Sequence, residues 1–177
     1  MSLYLQPGKI TLAFYKARGN FFDRLIRWWT RGPYSHVELV IGAENGEATI
    51  ISASPRDGGV RERRLVLDPE LWDLVHIPGD AEKAAAFVRS HIGRRYDWLG
   101  ILLSQTLPLG WHWSGGWFCS EICAAVLNLQ NPHRYHPSAL YKHLVAPTPS
   151  PAKPKPSLLA GLFRRFARSA IENGSRT

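Results

Sequence analysis

Tyr34-Ser35-His36-Val37-Glu38-Leu39-Val40-Ile41-Gly42 sets the architecture of this 177-residue chain. Gly32-Pro33, just before it, breaks the pattern upstream. From Val37 to Ile41 the residues are aliphatic apart from Glu38, which predicts a strand with His36 at its mouth. Glu44-Asn45-Gly46-Glu47 follows as a hairpin turn, and Ala48 to Ser52 returns as the partner strand. Working outward, Ile10 to Tyr15 reads as a further strand. Phe21 to Thr30 carries apolar residues at helical spacing. Downstream, Arg56-Asp57-Gly58-Gly59 is a turn, and Val60 to Leu67 and Trp72 to Ile77 read as strands. Asp80 can cap a helix from Ala81 to Ile92, ended by Gly93. Helices are expected over Tyr96 to Thr106, from Cys119 to about Leu129 and over Pro137 to Leu144, with a Trp/Gly/Pro loop at Leu107 to Gly116. Antiparallel strands followed by helices predict an α+β domain.

The composition fits one folded domain with a real core: 45% of residues are hydrophobic and 11% aromatic. The two Cys, at 119 and 123, sit on consecutive turns of one expected helix. That geometry is poor for a disulfide, and one Cys pair without a second cluster is weak for zinc. No metal or cofactor is expected. Met1 to Lys9 lacks a basic segment followed by an apolar one, so no signal peptide and a cytoplasmic location are expected, with export or release by lysis left open. No apolar run reaches membrane-spanning length.

Trp117-Phe118-Cys119-Ser120-Glu121-Ile122-Cys123 carries the second signal. Gly115-Gly116 delivers the chain abruptly into a helix with Cys119 in its first turn, where the helix dipole favours a thiolate. Cys123, a turn deeper between Ile122 and Ala124, suits the core. An imidazole near Cys119 can hold the thiolate as an ion pair and later move its proton. Of seven His, only His36 stands at a strand start after a Pro turn with apolar residues behind it. A third polar group is needed to orient it. Glu38, two residues on and on the same strand face, is one candidate, and Ser52 on the partner strand is another. Asp97 is a remote third. Tyr34, Tyr96 and Trp117 are candidates to line a substrate groove.

Ser35 to Gly42, Gly93-Arg94-Arg95-Tyr96-Asp97-Trp98 and Phe118-Cys119-Ser120-Glu121, in that order, resemble the YiiX-type permuted papain-like amidases. These form the circularly permuted branch of the NlpC-type cell-wall cysteine peptidases, with lecithin retinol acyltransferase-like enzymes as distant relatives. Standard papain-like chains place the Cys before the His; permutation reverses the order, as here. The resemblance covers residues 8–145. It implies a circularly permuted papain-like fold, Cys119 as nucleophile, His36 as base and the Cys119 N–H in an oxyanion hole. It also implies a peptide or lipid-like acyl substrate, without choosing among amidase, peptidase and acyl transferase. Many relatives carry a Glu before Ala on the second strand; here Ser52 precedes Ala53, and of the two candidates Glu38 is expected to orient His36, because a carboxylate also stabilises the imidazolium whereas a hydroxyl does so much less.

The organisation expected is a hydrolase domain over 1–146, a Pro-rich linker over 147–156 and a basic amphipathic tail over 157–177. The linker holds five Pro in ten residues, and Ser157 to Ile171 has the spacing of an amphipathic helix suited to its own domain, a membrane surface or a protein partner. Of the net charge of +8, the chain from Lys142 onward carries +6. The body is therefore nearly neutral, which disfavours nucleic acid as a partner. The alternative to an enzyme is a binding protein on the same fold with a decayed site.

Overall fold

The computed structural model describes residues 4–17, 21–96 and 116–146. The chain divides into two units, Met1–Ala146 and Pro147–Thr177. The linker and tail lie outside the described residues, as do most of the Tyr96 to Thr106 helix, the loop ending at 115, and Asp97.

The first unit is mixed α+β. Strands β1 (Lys9–Tyr15), β2 (His36–Glu44), β3 (Glu47–Ser54), β4 (Gly59–Leu65) and β5 (Trp72–Pro78) join helices α1 (Phe21–Thr30), α2 (Ala81–Arg89), α3 (Cys119–Val126) and α4 (Pro137–Val145). The sheet runs β4-β3-β2-β1-β5, every pair antiparallel. Asn45 and Gly46 both adopt positive φ, 52° and 82°, the backbone that matches a two-residue turn to the twist of the strands it joins. Among the described residues no helix is long and apolar enough to cross a membrane.

Strand alternation sorts the core. Leu12, Phe14, Val37, Leu39, Ile51 and Ala53 share one cluster with Val88, Ile122, Cys123 and Leu140 of the helices. Ala13, Val40, Ala48 and Ile50 form a second with Tyr4 and Leu67. Each large aliphatic or aromatic side chain so buried contributes about 1.5–3 kcal/mol. Helix α3 packs against β2 and β3, and α4 against α3 and β5.

Element ends differ from expectation for local reasons. Helix α2 stops at Arg89, three residues early, because the Ser90 hydroxyl and the His91 ring both bond the Phe87 carbonyl while the Ile92 N–H turns back to Arg89. Helix α3 stops at Val126 because Asn128 takes a left-handed φ of 55°. Strand β4 ends at Leu65 because its partner β3 begins at Glu47 and their last pair is Ala48↔Leu65.

Two features place the site. The β2–β3 register runs from Glu44↔Glu47 to Leu39↔Ile51, with an irregularity between Val40 and Gly42. His36 to Glu38 lie beyond that last pair, held from the other side by Tyr15↔His36 and Ala13↔Glu38. The segment leading into β2 is pinned by α4. The Ser138 hydroxyl accepts from the Tyr34 N–H at 3.0 Å and donates to the Tyr34 carbonyl at 3.2 Å. Gly32 is what lets Ser138 approach, since a Cβ there would sit 2.3 Å from the Ser138 Cβ.

Candidate active site

His36 opens β2, and Cys119 opens α3 behind an extended Phe118. The Phe118 N–H is 3.4 Å from Glu121 Oε2, a carboxylate three residues on that helps satisfy the free donors of the helix start. Cys119 lies near enough to the His36 imidazole to help raise the ring's pKa. The other side of the ring is taken: His36 Nε2 lies 2.7 Å from Glu38 Oε1. Nδ1 is therefore the ring nitrogen that Glu38 leaves free, and Cys119, His36 and Glu38 stand as a series.

The series continues. Arg61 Nη1 and Nη2 donate to the two oxygens of Glu38, each at 2.8 Å, and Arg61 Nε donates to Asp57 Oδ2 at 2.8 Å. Glu38 is nearly sealed, its side chain 2% exposed, and Arg61 is largely covered at 18%. Register explains the reach. Arg61 is paired with Ser52, and its guanidinium also lies 3.4 Å from the Ser52 carbonyl, passing over a small side chain on its way to β2.

Burial acts against every charge here, and pairing outweighs it. Burial lowers the His36 pKa, yet Cys119 and Glu38 together push it up to about 10. Burial raises that of Glu38, yet His36 and Arg61 bring it below the usual carboxylate value. Arg61 is likewise desolvated and held charged by Glu38 and Asp57. The imidazolium is thus the stable form of His36 at neutral pH.

Of the other expected residues, Ser52 does not contact the imidazole. Its hydroxyl donates to the Val37 carbonyl at 2.9 Å, bridging the strands where their register has ended, and it also meets the Cys123 thiol. Cys123 is fully buried, and burial, Cys119 and Glu38 all push its thiol pKa up. Tyr34, expected in a groove, is instead a core residue. It is 5% exposed, its ring packs in a three-ring cluster with Phe14 and Tyr141, and its hydroxyl donates to Asp73 Oδ2 at 2.6 Å. Tyr96 and Trp117 are half-buried and joined by a parallel bridge. Residues 94–96 dock on β4 through Val60 N–H to Arg94 O and Tyr96 N–H to Gly58 O, both 3.0 Å, and carry Trp117 through its N–H to Arg95 O at 3.2 Å. Trp117 therefore stands beside the start of α3, with the His91 ring 5.0 Å away.

Arg61 and Asp57 are the residues that sequence reasoning missed. Arg61 lay there only inside the strand expected over Val60 to Leu67. The available signal was its place opposite Ser52, small enough to let a long side chain cross.

No family model matches the chain, and no match is found among curated proteins or solved structures.

Proposed function

We propose that the protein is a cysteine hydrolase or acyl transferase acting on an amide or ester, on a circularly permuted papain-like fold. The observation that carries this reading is the series Cys119–His36–Glu38, drawn from a helix start and a strand start far apart in the chain. The Cys119 thiolate attacks the carbonyl carbon and a C–S bond forms. The oxyanion is held by backbone N–H groups at the helix start, where position leaves the first donors without intrahelical acceptors. The C–N or C–O bond then breaks as His36 delivers its proton to the leaving group, leaving a thioester. Water or an acceptor attacks next, His36 takes its proton, and the C–S bond breaks to restore the thiolate. Glu38 keeps the imidazole oriented and its cation stabilised. Trp117 and Tyr96 would contact a peptide or lipid-like acyl chain beside the nucleophile.

The experiment is acyl transfer from a p-nitrophenyl ester, with intact-protein mass spectrometry of the quenched reaction. A single acyl adduct on Cys119, absent in Cys119→Ala and slowed in His36→Ala, is expected. Turnover unchanged in Cys119→Ala overturns the reading, and so does a wild type that forms no adduct and alkylates no faster at Cys119 than at Cys123.

A further inference from the structure

We propose that Arg61 is a positioning residue of the site: it fixes the Glu38 carboxylate in the charged, in-line state that His36 requires. This rests on the cysteine-hydrolase reading and deepens it.

A carboxylate sealed from water has two ways to fail as an imidazole's partner. It can take up a proton and become neutral, or it can rotate about its last bond and present the wrong oxygen. The fork from Arg61 acts on both. Two parallel 2.8 Å hydrogen bonds engage Oε1 and Oε2 together, which fixes the carboxylate plane, and Oε1 is the oxygen 2.7 Å from His36 Nε2. The full guanidinium charge beside a desolvated carboxylate opposes its protonation. Arg61 is itself held from behind by Asp57 through Nε, so its fork is aimed before His36 is charged. Lys would supply the charge without the plane. Nothing in the series requires Arg61 to touch a substrate, so its effect passes entirely through Glu38.

The test is the pH dependence of Cys119 alkylation by iodoacetamide, which needs no substrate. Wild type should hold a fast rate down to an acid limb where Glu38 takes a proton. In Arg61→Met the limb should move up by about 1–3 pH units, the usual effect of an Arg on an adjacent carboxylate. In Arg61→Lys, which keeps the charge and the best chance of folding, the limb should stay near its wild-type position while the plateau rate falls at least several-fold. A folded Arg61→Met with an unmoved limb overturns the proposal. If Arg61→Met does not fold, Arg61→Lys with wild-type limb and plateau overturns it instead. Failure of the underlying reading looks different: wild type itself would then show no fast Cys119 alkylation and no dependence on His36.

Discussion

At the residue scale, the site divides labour between the two groups that the sequence offers as partners for His36. Glu38 faces the imidazole and Ser52 faces a backbone carbonyl. Glu38→Gln should therefore lower acyl transfer by about three to four orders of magnitude, as loss of the carboxylate behind a catalytic imidazole does. Ser52→Ala should leave the rate nearly unchanged and cost about 0.5–1.5 kcal/mol of stability, the worth of one hydrogen bond. Chromogenic-ester turnover and urea titration of the two variants check this, and a larger activity loss in Ser52→Ala would reverse the assignment. The two thiols should also separate. Burial and neighbouring negative charge raise the Cys123 thiol, so peptide mapping after brief iodoacetamide treatment near neutral pH should find the label on Cys119.

Between elements, the decisive geometry is a row of side chains crossing three strands, from Glu38 on β2 past Ser52 on β3 to Arg61 on β4. A carboxylate at position 52 would intrude between the outer two and compete for the guanidinium. Ser52→Glu should thus destabilise by about 3–5 kcal/mol, the cost of an uncompensated buried charge. In a Glu38→Gln background the same change should cost less, because Arg61 regains an anionic partner. A double-mutant cycle by denaturant titration measures the difference; additive effects would remove the competition argument. The approach to β2 makes a steric prediction. Gly32→Ala would drive its Cβ into Ser138, costing about 1–3 kcal/mol. Ser138→Gly in that background should recover the steric part but not the two hydrogen bonds to Tyr34.

How far the site was legible follows from the range of each interaction. His36 and Glu38 are two apart on one strand, and alternation alone puts them together. The place of Cys119 was readable from the glycines that stop the chain before α3. Ser52 was not, because its role depends on where the β2–β3 pairing ends, one residue short of it at Leu39↔Ile51. Arg61 needs the register of two strand pairs at once. Tyr34 was misplaced because one of the rings packed on it, Tyr141, comes from a helix about a hundred positions later, a separation that local pattern does not encode. The strands and α1 were recovered closely, since hairpin turns and apolar periodicity are local signals.

For the whole molecule, the charged series ties stability to pH. The His36 pKa is raised from 6.5 to about 10, so its contribution is full below pH 6.5 and drains as pH rises through about 10. Glu38 is lowered from 4.5, so its contribution is present above that value and lost as pH falls through the folded-state value. Stability should peak on the mildly acidic side and decline toward alkali. Thermal melts from pH 4 to 10 should trace this curve, with Glu38→Gln flattening both limbs. A wild-type curve that rises from pH 7 to 9 would contradict the ion-paired imidazolium.

The strand order has a consequence in time. The five described strands lie within Lys9–Pro78, whereas the proposed nucleophile, Cys119, opens α3. On a ribosome adding about 5–20 residues each second, the sheet that carries His36, Glu38 and Arg61 is complete about forty residues before the thiol is even translated. The residues of the sheet are thus made before either of the thiols at 119 and 123. On the proposed reading, the group that would do the chemistry arrives last, on a helix that packs against β2 and β3.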